Sequence, residues 1–242
     1  MTIRIAMWSG PRNLSTAMMR SFGSRADTAV SDEPFYGAYL KDSGDPQPMA
    51  DEVIAAMDCD WHNVARAMGA ANPDGASIWY QKHMAHHMIG PISIDDLPGL
   101  CHAFLIRDPA RVVASYAAKR VAVRPEHLGV DRHLDYFNRE ADRLGHAPPV
   151  VDSADILLNP AATLAALCVA LGIEWDAAML RWTPGIHASD GVWASHWYDA
   201  VAASESFGPP DSPPHALDGD AQRVADQCRP AYEQLAAHKI TT

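Results

Sequence analysis

The sequence lacks several features that would assign it to a particular class of protein. None of its apolar runs approaches the roughly 20 residues that a helix needs to cross a bilayer, so we expect no membrane span. Its first residues, MTIRIAMWSGPRN, contain no A-x-A-like cleavage site, so we expect no signal peptide. Basic residues are outnumbered, with 19 Lys and Arg against 30 Asp and Glu and a net charge of −11. This balance argues against a dedicated nucleic-acid binder, but it leaves room for a local basic pocket that holds a small anion.

Cysteine is also scarce. No two of the four cysteines have the spacing of a zinc site or of a redox pair; they are Cys59, Cys101, Cys168 and Cys228. We therefore expect a reduced protein of the cytoplasm. The 242 residues are 48% hydrophobic and 20% charged, which suits a globular core. We predict one domain over residues 1–242, with a loop and a helix at its C-terminal end, residues 208–242.

Short apolar segments alternate with helical patterns along most of the chain. The predicted strands are Ile3–Trp8, Thr28–Val30, Ser77–Lys82, His102–Ile106 and Val150–Asp152. Helices are predicted to begin near Asn13 or Ser15 and at Asp108, and to cover Pro160–Leu171 and Asp220–His238. This alternation predicts an α/β fold of three layers, α/β/α, around a central parallel sheet. Ligands bind beyond the carboxyl ends of the strands in such sheets.

The turn after the first predicted strand is typical of an anion site. Ser9–Thr16 joins a strand to a helix, and it offers amide groups at the helix N-terminus, the two hydroxyls of Ser15 and Thr16, and an arginine. It differs from the nucleoside-triphosphatase pattern G-x-x-x-x-G-K-[ST]. Counted from Gly10, the second glycine, the lysine and the hydroxyl residue are replaced by Ser15, Thr16 and Ala17. The alternative is a plain N-cap, in which a hydroxyl only satisfies free amide groups of the helix.

A second candidate anion contact follows the fourth predicted strand. Arg107 lies in the segment LIRDP, and Ser115 comes eight residues later, about two turns into the next helix. Both side chains can then reach one phosphate group, the arginine through a forked, charge-assisted contact. The alternative is an ion pair between Arg107 and a surface carboxylate such as Asp108.

Together the two segments resemble the sulfotransferases that use 3′-phosphoadenosine-5′-phosphosulfate (PAPS) as donor. That family has a Pro-Lys/Arg-Ser-Gly-Thr-Thr-like loop for the 5′-phosphosulfate and an Arg-(Asp/Asn)-Pro…Ser segment for the 3′-phosphate. The matching loop residues here are Pro11, Arg12, Asn13, Leu14, Ser15 and Thr16, and the matching segment residues are Arg107 and Ser115. Leu14 departs from the family's glycine, and the Arg-Lys-Gly loop of the cytosolic animal enzymes has no counterpart. The resemblance implies a divergent bacterial type with a P-loop-like fold.

The resemblance also implies catalytic roles. Arg12 serves the leaving phosphate. Lys82 either binds the transferring sulfonate or is an ordinary solvated lysine. Glu33, in the segment SDEPF, is similar to a Glu-Pro of several bacterial members and takes the proton of the acceptor. His83 is the rival base, because YQKHMA resembles the Lys-Thr-His segment of the animal enzymes. We favour Glu33, although a carboxylate before proline is also common in ordinary loops.

Three histidines form the pattern H-x-x-H-H. On a helix, His83, His86 and His87 would converge as metal ligands do. The glutamate of H-E-x-x-H is absent and no cysteine lies nearby, so we predict no metal site.

Two segments are candidates for the acceptor side. Asp190–Tyr198 concentrates Trp193, Trp197 and Tyr198, which form either a wall over the ligands or anchors in the core. Asp42–Pro48 is predicted as a loop, as is Gly208–Pro214.

We predict transfer of a sulfuryl group from PAPS to a hydroxyl or amine of a small-molecule acceptor, without a metal, by a monomer or homodimer. One alternative is a P-loop kinase or hydrolase using ATP and Mg²⁺, which the missing lysine disfavours. Another is a catalytically inactive nucleotide-binding protein, which Leu14 in place of glycine would favour.

Overall fold

A five-stranded parallel sheet forms the centre of the fold. The structure, a computed structural model, describes residues 2–72, 75–117, 123–211 and 216–241. The strands are β1 (Ile3–Ser9), β2 (Thr28–Asp32), β3 (Ile78–Met84), β4 (Cys101–Ile106) and β5 (Val150–Asp152). Their order is β2-β3-β1-β4-β5, and each neighbouring pair is parallel. All five predicted strands are confirmed, to within two residues at either end.

The central strand explains why the sheet needs cover on both faces. Every residue of β1 from Ile5 to Trp8 is fully buried, so its apolar side chains point to both sides. The connection from β1 to β2 runs to one side of β1, and the connection from β4 to β5 runs to the other. Right-handed crossovers in opposite directions place their helices on opposite faces.

Helices flank the sheet and complete the three predicted layers. They are α1 (Ser15–Gly23), α2 (Tyr36–Ser43), α3 (Ala50–Ala56), α4 (Trp61–Gly69), α5 (Pro109–Ala117), α6 (Pro125–Leu128), α7 (Val130–Leu144), α8 (Ser153–Leu158), α9 (Pro160–Ala170), α10 (Ala194–Trp197), α11 (Asp199–Ala202) and α12 (Gly219–Ala236). Helix α1 packs on β2 and β3, whereas α7 and α12 pack on β4. The three-layer α/β/α fold is therefore confirmed. Among the described residues, no helix is both long and apolar enough to cross a membrane.

The structure corrects one predicted loop. Residues Asp42 and Ser43 belong to α2, and the loop begins at Gly44, whose φ of 62° ends the helix in the left-handed region. Asp42 is held there because its carboxylate accepts a hydrogen bond from Trp61 Nε1 at 2.7 Å.

The C-terminal helix is part of the main body. Helix α12 packs against α5 and α7, and beyond it Ile240 N–H donates to Val150 O of β5 at 2.9 Å. One hydrophobic cluster runs from Ile5 to Leu235, and the single domain stays a prediction. The predicted loop at 208–214 is described as far as Asp211, and its last residues lie outside the described ranges.

Candidate active site

The carboxyl ends of the parallel strands open into one cavity of about 410 Å³, a size typical of small-molecule sites. Its walls come from the turns that follow β1, β2, β3 and β4, together with the segments 182–208. Sequence-predicted residues on its wall are Pro11, Arg12, Asn13, Leu14, Ser15, Thr16, Glu33, Lys82, Arg107, Trp193, Trp197 and Tyr198. We call the part near Arg12 and Arg107 the donor end, and the part near Glu33 and Lys82 the acceptor end.

The turn at the donor end has an unusual backbone. Arg12 has φ 61° and Leu14, the residue before the first turn of α1, has φ 69°. This left-handed region favours glycine and costs other residues roughly 1–2 kcal/mol. A glycine would suit the position of Leu14, yet leucine adopts the required conformation. No side chain caps α1, so the alternative of a plain hydroxyl N-cap is wrong.

The fold brings the predicted anion contacts together at the donor end. Arg12 Nε donates to Ser115 Oγ at 2.9 Å, and Arg107 Nη1 donates to the carbonyl oxygen of Arg12 at 2.8 Å. Burial, and then the charge of Arg107, lowers the pKa of Arg12. Two cations placed side by side in a half-buried site repel each other, and an anion between them relieves that repulsion.

A carboxylate of this chain already meets that demand in part. Arg107 Nη2 donates to both oxygens of Asp211 at 2.7 Å, and Arg111 Nη1 lies 3.5 Å from Asp211 Oδ2. The predicted alternative, an ion pair of Arg107 with a carboxylate of the chain, is therefore present, but its partner is Asp211 and not Asp108. Asp108 instead accepts the Ala110 N–H at 2.8 Å, at the start of α5.

At the acceptor end, Lys82 is surrounded by oxygen atoms. Its Nζ donates to Asp32 Oδ1 at 2.9 Å, to Glu33 Oε1 at 2.7 Å and to Tyr198 OH at 2.6 Å. Burial alone would lower the pKa of Lys82, but the carboxylates of Asp32 and Glu33 raise it well above its ordinary value. All three N–H groups of the ammonium are engaged, so Lys82 orients Glu33. Its predicted contact with a sulfonate stays a prediction.

The phenol of Tyr198 completes this network. It accepts from Lys82 and, at 3.0 Å, from Trp193 Nε1, and it donates to Asp32 Oδ2 at 2.7 Å. The Gly191 N–H also donates to Asp32 Oδ2, at 3.2 Å. The two interpretations of this aromatic segment therefore both hold, because its side chains line the cavity and are also anchored.

A second anchor of the same segment lies in α1. Arg20 Nη1 donates to Asp190 Oδ1 at 2.6 Å and Nη2 to Oδ2 at 2.5 Å, and both side chains are almost wholly buried.

The rival base, His83, lies in the core of the protein. Its Nε2 is 3.1 Å from Gln81 Oε1, its ring is 4.7 Å from that of Trp8, and it is absent from the cavity wall. Burial lowers the pKa of His83 to about 3, so the ring is neutral.

The three histidines do not share a helix face, contrary to the spacing argument. His83 belongs to β3, and its side chain lies in the core. His86 and His87 lie in the 3₁₀ turn 85–87, and their ring centroids are 4.3 Å apart. Within the described ranges, no group of three or more His, Cys, Asp or Glu is arranged to hold a metal ion.

His87 has a different environment from His83. Its ring lies on the cavity wall, stacked at 4.5 Å on Tyr36 and at 4.7 Å on Tyr39. Its Nδ1 is buried with no hydrogen-bond partner, 3.9 Å from Glu33 Oε2. Burial, and then the charge of Lys82, lowers the pKa of His87 well below its ordinary value, so the ring is neutral.

The chain is similar to several known proteins. It is 31% identical over 234 residues to branched-chain-amino-acid aminotransferase-like protein 2 of Arabidopsis thaliana, and 31% identical over 237 residues to protein 1 of that name. Each match covers 97% of this chain, but the chain spans only 41% and 42% of the lengths of these two relatives.

Solved structures share the fold. The sulfotransferase domain from the curacin biosynthetic pathway superposes with a TM-score of 0.54 at 15% identity, covering 95% of this chain and 98% of that one. A sulfotransferase from Alicyclobacillus acidocaldarius superposes with a TM-score of 0.52 at 13% identity, covering 100% and 98% of the two chains. The family profile described as "Sulfotransferase domain" matches residues 3–238. That match leaves only a few residues at either end unaccounted for, and the chain belongs to the sulfotransferase family.

Proposed function

We propose that the chain transfers a sulfuryl group from PAPS to a small-molecule acceptor. The observation that carries the proposal is the division of one cavity into a cationic end and an end with an ionisable carboxylate. Arg12, Arg107 and Ser115 meet beside the N-terminus of α1 at the first end, and Glu33 lies at the second.

The donor end has the chemistry that a polyanion needs. The first amide groups of α1 have no partner within the helix, as in any helix, and they favour negative charge. Arg107 retains a buried Nε without a hydrogen-bond partner. We assign the 5′-phosphosulfate to the turn from Pro11 to Thr16, and the 3′-phosphate to Arg107 and Ser115. The bound donor supplies an activated sulfuryl group, and Arg12 stabilises the charge that develops on the leaving phosphate.

Glu33 is the base that this geometry favours. It reaches the cavity wall, whereas His83 faces the core. Lys82 fixes one oxygen of Glu33, and the other, Oε2, lies 3.9 Å from His87 Nδ1. Catalysis then rests mainly on holding the reacting groups in line, as in phosphoryl transfer.

The alternatives have less support. An ATP-dependent enzyme needs a lysine at the phosphates, and Lys82, the one lysine among the described residues of the cavity wall, is held by carboxylates at the other end. A pyridoxal-phosphate aminotransferase needs a lysine that forms a Schiff base, and the same contacts of Lys82 oppose that role. Leu14 in place of glycine favours an inactive nucleotide-binding protein, yet Leu14 adopts the backbone conformation that the turn requires.

Calorimetric titration with 3′-phosphoadenosine-5′-phosphate (PAP), and separately with ATP–Mg²⁺, tests the donor assignment. We expect tight, metal-independent binding of PAP, and a loss of about 2 kcal/mol or more in Arg107→Ala, which removes charge-assisted contacts to phosphate. Arg139→Ala is the matched control, because Arg139 is exposed and pairs with Asp95 and Asp135 instead. Preference for ATP–Mg²⁺, or equal binding by the two variants, would refute the assignment.

The acceptor, the state of assembly as monomer or homodimer, and the cytoplasmic location expected from the separate cysteines stay predictions.

A further inference from the structure

His87 has an unmet hydrogen-bonding capacity at the acceptor end of the cavity. Its side chain is 4% exposed and its Nδ1 has no partner among the described residues. A buried polar atom without a partner costs free energy, so native proteins rarely keep one unless a ligand or water satisfies it. The nearest acidic atom is Glu33 Oε2, 3.9 Å away.

The separation of these two atoms suits one bridging atom. A distance of 3.9 Å is too long for a direct hydrogen bond, for which donor and acceptor lie about 2.7–3.2 Å apart. An oxygen atom placed between them can lie within that range of both. Lys82 already holds Glu33 Oε1, so Oε2 is the oxygen left to receive such a group.

The ring of His87 is fixed in this orientation. It stacks nearly parallel on Tyr36, at an interplanar angle of 3°, and at 21° on Tyr39. A ring held by two aromatic neighbours presents its Nδ1 without reorganisation, as an efficient site requires.

The protonation of His87 decides which group fits. The ring is neutral, so one ring nitrogen carries a proton and the other does not. The negative charge of Glu33 faces Nδ1 and favours the tautomer with its proton there. An N–H beside a carboxylate offers one donor and one acceptor. A hydroxyl fits this pair and can still react, because one lone pair of its oxygen accepts from Nδ1–H, a second is free to attack, and its proton goes to Oε2. A neutral amine has a single lone pair, so accepting from Nδ1–H occupies the pair that it needs for attack.

We propose that His87 and Glu33 together hold the reacting hydroxyl of the acceptor, so that the enzyme acts on alcohols or phenols and disfavours amines. The inference rests on the proposed sulfuryl transfer. His87 is then an acceptor-binding residue that selects oxygen as the nucleophile.

The proposed transfer conserves atoms and charge. The acceptor oxygen forms a bond to the sulfur of the donor, and its proton passes to Glu33 Oε2. The bond between sulfur and the bridging oxygen of the donor breaks, and its electron pair leaves with the phosphate, beside Arg12. The products are a sulfate ester, PAP and a protonated Glu33 that returns its proton to water.

The residues around His87 and Glu33 further narrow the class of acceptor. Trp193 meets Tyr36 edge to face at 5.0 Å on the same wall, so the body of the acceptor packs on aromatic surface. Lys82 is outnumbered by the two carboxylates that hold it, Asp32 and Glu33. This residual negative charge repels an anionic acceptor, so an uncharged phenol is the class that fits best.

The experiment compares 4-propylphenol with 4-propylaniline, two neutral probes of one shape, with PAPS as donor and release of PAP as readout. We expect the wild type to have a kcat/KM for the phenol at least about tenfold above that for the aniline, because a buried pair built for one hydrogen-bonding pattern discriminates against another. The His87→Phe variant keeps an aromatic ring in the stack and removes both nitrogens. It should lose at least about tenfold in kcat/KM for the phenol.

Two controls distinguish a failure of this inference from a failure of the proposed function. Calorimetry should give PAP affinities for the wild type and His87→Phe that agree within about twofold, since His87 lies at the other end of the cavity. His87→Asn places an amide N–H near the position of Nδ1, and it should retain more activity than His87→Phe. A folded His87→Phe variant with wild-type kcat/KM would overturn the inference. The inference would also be overturned if the wild type used the aniline as well as the phenol, or if it bound PAP but did not use the phenol. A wild type that fails to bind PAP would overturn the proposed function and this inference with it.

Discussion

The two ends of the cavity solve the problem of buried charge in opposite ways. At the acceptor end, Lys82 lies between Asp32 and Glu33 and the phenol of Tyr198, so each charge has a fixed partner that belongs to the core. At the donor end, Arg107 depends on Asp211, which arrives from an irregular segment and is 19% exposed at its side chain.

This difference separates permanent charge neutralisation from replaceable neutralisation. A closed network of buried charges is costly to open, because removing one partner leaves another charge without compensation. A partly exposed ion pair on an irregular segment is less costly to open, and in the proposed function an incoming phosphate replaces its carboxylate. The acceptor end is therefore organised before any ligand arrives, and the donor end awaits one.

The largest expected effect comes from removing the cation of the acceptor end. Lys82→Met leaves Asp32 and Glu33 without their partner, and we expect the free energy of unfolding to fall by about 3–5 kcal/mol. Urea unfolding followed by circular dichroism measures this. Lys239→Met is the matched control, since Lys239 forms a single half-exposed pair with Asp155 at 2.8 Å and should lose at most about 1 kcal/mol. Equal losses in the two variants would show that the buried network of the acceptor end is no more costly to open than a partly exposed pair.

A smaller effect is expected from removing the carboxylate of the donor end. Asp211→Asn should tighten PAP binding by about fivefold, because Arg107 no longer needs to release an anion, and should change the free energy of unfolding by less than about 1 kcal/mol. Calorimetry gives the affinity. Glu205→Gln removes the carboxylate of an exposed pair with Arg181 nearby in the chain, and its PAP affinity should stay unchanged. Weaker binding in Asp211→Asn would make Asp211 a part of the donor site rather than a competitor.

The smallest effect is expected at the turn itself. Leu14→Gly relieves a left-handed backbone but adds freedom to the unfolded chain and removes packing, so stability should change by at most about 1 kcal/mol. PAP affinity should stay within about twofold in the same titration. Met49→Gly is the control, since Met49 precedes α3 with the same kind of backbone, φ 63°. A tenfold gain in affinity for Leu14→Gly alone would show that leucine obstructs the site.

The sheet was predictable because its strands are short apolar segments that end in polar turns. Helix α7 was missed although Val130, Leu134 and Phe137 recur at helical spacing, because its many charged residues dilute that signal. The separation of His83 from His86 and His87 was also beyond the spacing argument. It depends on β3 continuing to Met84, which turns alternate side chains to opposite faces.

The candidate site was predictable where one turn or one strand end carries it. Arg12, Glu33 and Arg107 lie beside the ends of strands, as the sequence predicts, and Ser115 lies in α5, but their roles stay predictions. The partners of these residues were not predictable. Asp211 lies 104 residues after Arg107, and nothing local connects them. Asp32 faces Lys82 only because β2 pairs with β3 in one particular register.

The buried pair of Arg20 and Asp190 joins the two halves of the chemistry. Arg20 belongs to the helix whose N-terminus forms the donor turn, and Asp190 adjoins Gly191, which holds Asp32. This forked contact ties α1 to the segment that holds Asp32, so if donor binding moves α1, we expect the wall of the acceptor end to move with it. Thermodynamic linkage makes such a relation mutual. If donor binding changes the affinity for the acceptor by some factor, acceptor binding changes the affinity for the donor by the same factor.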